Sequence, residues 1–129
     1  MAMRVIVFGS KMMIRRLNAS LAGGGIKVIG ASDGLDRMMA LLKQDKVALA
    51  VVDSLSEEAE AACRRINELW DIPLMLMVSE KRSNWEKLKL LDADGYIPEG
   101  AGKAELAARL QAVVRRCSPP DRLRKSTLK

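Results

Sequence analysis

The chain has 129 residues, which suits one domain and would be cramped for two. With 49% hydrophobic and 29% charged residues it has the composition of a globular protein, which excludes collagen-like, disordered and disulfide-scaffold chains. It contains no histidine, so histidine-based catalysis and the commonest zinc ligand are excluded as well.

Predicted strands and helices alternate along the chain. Apolar runs and helical spacing predict, in chain order, a strand over 4–8, a helix over 11–22, a strand over 26–31, a helix capped by Ser32 or Asp33 and running to about residue 43, a strand over 47–52, a helix over 57–69, a strand over 74–78, a short helix over 84–91, a brief strand over 96–97 and a helix over 103–116. The strands are continuously apolar, which is typical of a sheet that is covered on both faces. Five strand–helix units of this kind predict a doubly wound, parallel α/β domain.

The net charge of +6 is concentrated at the end of the chain. Residues 1–114 carry 16 Lys and Arg against 15 Asp and Glu, whereas residues 115–129 carry six basic residues against Asp121 alone. We therefore predict a domain over residues 1–116 and a basic linker or tail over 117–129. A solvated linker explains this charge at least as well as contact with a phosphate backbone or an acidic partner does.

The two cysteines, Cys63 and Cys117, are far apart and form no CxxC motif, so neither a metal site nor a redox site is predicted. The apolar run after Arg4 is too short for a signal peptide or a membrane span. These features predict a cytoplasmic protein without membrane contact.

The carboxyl ends of the predicted strands are where a fold of this class places ligands and chemistry. Neither GxGxxG nor GxxxxGK[ST] occurs there, so nucleotide binding is not predicted. The hydroxyl and carboxylate side chains at these ends that form a candidate set are Asp53 and Ser79, with Ser10 as a further candidate. On spacing alone, Asp53 is explained by a helix-cap or turn role.

Asp53 after the third strand, Ser79 after the fourth, and the segment ADGYIP at 93–98 followed by Gly100 together resemble the receiver domain of bacterial response regulators. The last segment is most similar to receivers of the LuxR/NarL type. The resemblance extends from about residue 3 to residue 116 and implies a flavodoxin-like three-layer sandwich, (βα)5. It also implies that Asp53 accepts a phosphoryl group from a histidine kinase, that Ser79 hydrogen-bonds that group, and that Tyr96 is the aromatic switch residue.

Three positions depart from the pattern of the family. Gly9 and Ser10 stand where the family has two acidic residues that hold Mg²⁺, and Glu99 stands where it has a lysine that neutralises the phosphoryl group. An inward rotation of Glu99 would supply a second carboxylate but would leave the phosphoryl group without its lysine. We therefore expect poor Mg²⁺ binding and no cofactor, with Asp53 held by backbone N–H groups or partly neutralised by burial beside Glu99.

The resemblance also implies a partner face, formed by residues 82–91, 96–97 and 103–116. Trp85 and Tyr96 would lie on it, although Trp85 is explained equally well as a residue without an interface role.

The favoured interpretation is a non-enzymatic, atypical receiver (a pseudo-receiver) of a two-component phosphorelay system, acting by protein–protein contact. A functional receiver phosphorylated on Asp53, as the N-terminal domain of a transcriptional regulator, is the alternative. A flavodoxin-like domain that binds a small ligand is a third possibility, which the strand-end loops do not favour. The expected partners are a histidine kinase, an output domain or a second copy of the chain, with nucleic acid reached only through an output domain outside this sequence.

Overall fold

The five strands form one parallel sheet. The computed structural model describes residues 3–21, 25–31, 34–79, 81 and 84–116. In chain order the strands are β1 (Met3–Phe8), β2 (Ile26–Ala31), β3 (Leu49–Asp53), β4 (Leu74–Val78) and β5 (Gly95–Pro98). The order across the sheet is β2-β1-β3-β4-β5, and every neighbouring pair is parallel. The predicted doubly wound, flavodoxin-like α/β fold is confirmed.

The helices cover both faces of the sheet. They are α1 (Lys11–Leu21), α2 (Leu35–Gln44), α3 (Ala59–Leu69), α4 (Trp85–Leu88) and α5 (Lys103–Arg116). Because successive side chains of a strand point to opposite faces, β1 supplies Ile6 to the core beneath α2 and α3, and Val7 to the core beneath α1 and α5. The three layers expected from the sequence are therefore present.

Several predicted boundaries differ from the structure, and hydrogen bonds account for two of them. Helix α3 begins at Ala59 rather than at residue 57, because the Ser56 N–H donates to the Asp53 carbonyl and the Ala59 N–H to the Ser56 carbonyl, which makes tight turns instead of a helix. Strand β3 begins at Leu49 rather than at residue 47, because its pairing with β1 starts there, opposite Val5.

The predicted helix over 84–91 is shorter than expected. It is α-helical over Trp85–Leu88 and tightens into a 3-10 turn over Lys89–Leu91, and Asp92 then takes a left-handed conformation with φ 53°. A left-handed residue ends a helix, so the chain turns back toward β5 at this point. Strand β5 is one residue longer at each end than predicted.

The N-cap residue of helix α2 is Gly34, with φ 101°. Among the described residues, no side chain makes a capping hydrogen bond to this helix. Ser32 and Asp33, the caps predicted from the sequence, lie outside the described residues, as do residue 22 and the predicted tail over 117–129. The division of the chain at residue 116 therefore stays a prediction. Across the part of the chain that the structure describes, each helix is too short or too polar to cross a membrane.

Candidate functional site

Asp53 is the last residue of β3 and lies at the carboxyl edge of the sheet, half-buried. Its Oδ1 accepts a hydrogen bond from the Leu55 N–H at 3.0 Å, and its own carbonyl accepts one from the Ser56 hydroxyl at 2.8 Å. The expectation that a backbone N–H would hold the Asp53 carboxylate is confirmed. This contact is also what a turn after a strand requires, so it does not by itself assign a chemical role to Asp53.

Gly9 is buried at the end of β1, directly beside Asp53. A Cβ atom added to Gly9 would lie 2.9 Å from the Asp53 Cβ and 3.0 Å from the Met13 Cε. Real Cβ atoms do not approach other atoms this closely, so any side chain at position 9 requires β1, β3 or Met13 to move. In this backbone the position has no space for an acidic side chain.

Ser10 is exposed and serves as the cap of α1. Its Oγ accepts a hydrogen bond from the Met13 N–H at 3.1 Å, and its carbonyl accepts one from the Ile14 N–H at 3.0 Å. A serine in this position satisfies an N–H group that the first turn of a helix leaves unpaired. The local structure thus explains Ser10 without a metal ligand role.

Glu99 is exposed and follows β5. Its N–H donates to the Val78 carbonyl at 2.9 Å, and its carbonyl accepts from Arg16 Nη2 at 3.3 Å, which links α1 to the segment between β5 and α5. Arg16 was not predicted as a site residue, because its place on the polar side of α1 predicts only exposure to solvent. Nothing in the residue spacing indicates that Arg16 reaches across to Glu99.

Mg²⁺ is held at protein sites by carboxylates, as the family resemblance implies for this one. Of the residues described here, Asp53 and Glu99 are the carboxylates that line the cavity at this edge, and Gly9 leaves no space for another beside Asp53. No group of three or more Cys, Asp or Glu among the described residues is arranged to hold a metal. These residues do not fit the family's magnesium site.

Ser79 is buried, with 4% of its surface exposed, and immediately follows β4. It does not line the same cavity as Asp53; it lines a neighbouring groove together with Lys81 and Glu99. The structure therefore brings Asp53, Ser10 and Glu99 together at one cavity, and Ser79 and Glu99 at the next. The roles predicted for Asp53 and Ser79 in phosphoryl transfer stay predictions.

Tyr96 and Trp85 form a pair on the far side of β5. Their rings are 5.7 Å apart and nearly perpendicular at 69°, an edge-to-face arrangement. Tyr96 is half-buried against the core, whereas Trp85 is 42% exposed. The sequence placed both residues on one face, and the structure adds that they are in direct contact.

Asp94, which belongs to the segment at 93–98, holds two strands together. Its Oδ2 accepts from the Leu74 N–H at 2.8 Å, and its own N–H donates to the Leu74 carbonyl at 2.7 Å. The two bonds fix the start of β5 against the start of β4. Asp94 thus has a structural explanation, at the edge of the sheet opposite Asp53.

Replacing Asp94 by alanine is expected to lower the free energy of unfolding by about 1.5 kcal/mol, because the Leu74 N–H loses a charged acceptor. Asp94→Asn keeps an acceptor oxygen and should cost less than half as much. Urea unfolding of both variants measures the difference. Equal losses in the two variants would contradict the role assigned to this hydrogen bond.

Proteins of similar sequence and solved structures of similar fold were found for this chain. No family model matches the chain. Response regulator MprA of Mycobacterium sp. strain KMS is 31% identical over 126 residues, a match that covers 94% of this chain and 54% of the relative. The chain thus spans about half the length of the curated relatives it matches.

Two solved structures share the whole fold. A response regulator from Thermotoga maritima superposes with a TM-score of 0.76 at 21% identity, covering 89% of this chain and 99% of its own. A response regulator receiver domain protein from Clostridium thermocellum superposes with a TM-score of 0.75 at 12% identity, covering 88% and 95%. The chain is thus similar in sequence to about half of a response regulator, and it has the fold of solved response-regulator receiver domains.

Proposed function

We propose that this domain is a pseudo-receiver, a non-enzymatic signalling module that works by protein–protein contact without Mg²⁺-dependent phosphorylation of Asp53. The observation that carries the proposal is the close approach of β1 to Asp53, where a Cβ at Gly9 would lie 2.9 Å from the Asp53 Cβ. The backbone has closed over the position from which the family's acidic residue would hold the metal. Ser10 caps α1 instead, and Glu99 brings a negative charge where the family has a positive one.

The cost of this charge exchange supports the same proposal. A phosphoryl group on Asp53 would add negative charge to a cavity that Glu99 also lines, and it would lack the favourable contact that the family's lysine provides. Without a metal and without the family's lysine, the described residues of the cavity offer one cation, Arg16, which is exposed and donates to the Glu99 carbonyl.

Titration with Mg²⁺ and beryllofluoride, followed by amide NMR, tests the proposal, because beryllofluoride mimics a phosphoryl group on an aspartate and needs the metal. We expect no saturable shift at the amides of Asp53, Ser79 and Tyr96 at millimolar Mg²⁺. Saturable shifts in the wild-type protein that vanish in Asp53→Asn would overturn the proposal. They would make the domain a phosphorylation switch.

One observation favours that alternative, a receiver phosphorylated on Asp53 by a histidine kinase. Lys81 lines the same groove as Ser79 and Glu99, so a lysine from the loop after β4 lies in the region where the family's lysine would act. If shifts with beryllofluoride are seen, Lys81→Ala is the next variant to titrate, since loss of the shifts there would identify the replacement cation.

The partner face of the pseudo-receiver is the surface formed by α4, β5 and α5. Trp85 is 42% exposed there and contacts Tyr96, which gives an apolar surface suited to another protein. The partner would be a histidine kinase, an output domain or a second copy of the chain, in the cytoplasm of a bacterium. Sedimentation equilibrium of the wild-type protein and of Trp85→Ala tests the second copy: we expect a dimer that the substitution weakens.

A further inference from the structure

The cavity beside Asp53 has a larger volume than one side chain or one ion would fill. It has a volume of about 270 Å³ and lies between α1 and the segment that joins β5 to α5. Its walls combine polar and apolar surface in nearly equal parts, and five of the apolar residues that form them are Met13, Leu17, Met77, Ile97 and Leu106. An apolar cavity of about 150 Å³ already accommodates benzene. The present one therefore has room for a bicyclic ring system.

Two large apolar side chains are exposed at the opening of the cavity. Met12 is 72% exposed and Leu55 is 39% exposed, and both line the opening. Side chains of this size on the surface leave apolar area in contact with water, and a ligand that extends out of the cavity would cover it. The methionines are unbranched and polarisable, so they can adjust to a flat ligand.

The charged groups of the lining favour a cation. Asp53 is half-buried, and among the bonds between described residues its carboxylate accepts one, from Leu55, although a carboxylate has room for about four. Arg16 and Glu99 also line the cavity, but both are exposed, so solvent and salt weaken their fields. The strongest interaction open to a ligand inside the cavity is thus a charged hydrogen bond to Asp53.

We propose that this cavity binds a small aromatic amine, with the ammonium group at Asp53 and the ring between Met13 and Leu106. The inference rests on the proposed function, because an Asp53 that carried a phosphoryl group could not serve as the counter-ion. It identifies the class of ligand that would set the state of the domain in place of phosphorylation. A concave site that combines apolar walls with a few placed polar groups is the common form of a small-molecule site.

Tryptamine and indole-3-propionate are the probes, since they share the indole ring and carry opposite charges. Amide NMR of the full chain should show saturable shifts with tryptamine at residues lining the cavity, and at least tenfold weaker binding of indole-3-propionate. Asp53→Asn should weaken tryptamine binding by about tenfold. Asp71→Asn, the same substitution just before β4 and at the opposite edge of the sheet, should leave the binding unchanged.

A second variant tests the cavity independently of the charge. Ala101→Leu adds volume to a lining residue and should abolish tryptamine binding while the amide spectrum keeps the dispersion of the folded protein. Equal binding of the two probes, binding that survives both variants, or no binding of tryptamine to the wild type would each overturn the inference. The beryllofluoride titration reports separately on the proposed function: saturable shifts there overturn both, whereas failure of tryptamine alone overturns only the amine site.

Discussion

Gly9→Asp is expected to lower the free energy of unfolding by about 3 kcal/mol, even though it restores an acidic residue that the family has at this position. The new Cβ would lie 2.9 Å from the Asp53 Cβ and 3.0 Å from the Met13 Cε, so β1 and β3 must separate where both are buried. The two carboxylates would also repel each other. Urea denaturation measures the loss, and the Mg²⁺ titration of the same variant should still show no binding.

Ser10→Asp is the matched control for this substitution. It adds the same side chain at the other position of the family's acidic pair, but Ser10 is exposed, and aspartate caps a helix as well as serine does. We expect its stability to lie within about 0.5 kcal/mol of the wild type. If Gly9→Asp were as stable as Ser10→Asp, the end of β1 would be free to move. The inference that position 9 has no space for an acidic side chain would then be wrong.

The second large effect is a loss of stability in alkali caused by Cys63. Burial in the core beneath α3 raises the pKa of this thiol from 9.0 to about 12, with a smaller contribution from the Glu60 carboxylate. The unfolded chain ionises its thiol above pH 9, whereas the folded chain does not. The contribution to stability is therefore complete below pH 9 and is lost as the pH rises toward 12, by roughly 2 kcal/mol at pH 10.5.

Cys63→Ala isolates this effect, because every other ionisable group is common to the two proteins. Urea unfolding of the two proteins from pH 8 to pH 10.5 should give curves that diverge, with the wild type losing about 2 kcal/mol more than the variant. Parallel curves would mean that the Cys63 thiol ionises in the folded protein as readily as in the unfolded chain. The same burial predicts that Cys63 does not react with iodoacetamide until the chain unfolds.

Most of the fold could be predicted from the sequence because its determinants are local. The strands β2 and β4 have the predicted bounds, since each is a short apolar run whose ends are marked by glycine, proline or polar residues. Of the boundaries that were wrong, the start of β3 depends on a distant partner, because it is decided by the register with β1. The start of α3 depends on the turns that follow Asp53, which are local but are not indicated by apolar spacing.

The candidate site was predictable in its residues but not in its geometry. The sequence identified Asp53, Gly9 and Glu99 as the matched and departing positions. It gave no sign that Gly9 lies so close to Asp53, because that distance is set by the spacing of two strands that are 40 residues apart in the chain. The contact from Arg16 to the Glu99 carbonyl, which spans 83 residues, was equally inaccessible to any argument from local spacing.

The contact between α1 and α5 has a consequence for how the chain folds. The first helix and the last helix pack on one face of the sheet, where Leu17 of α1 shares a core with Leu106 and Leu110 of α5. That core cannot form until α5 has been synthesised. The apolar side of α1 therefore stays exposed to solvent during synthesis of the rest of the domain. Contacts between residues this far apart in sequence slow folding, and they tie the beginning and the end of the domain into a single cooperative unit.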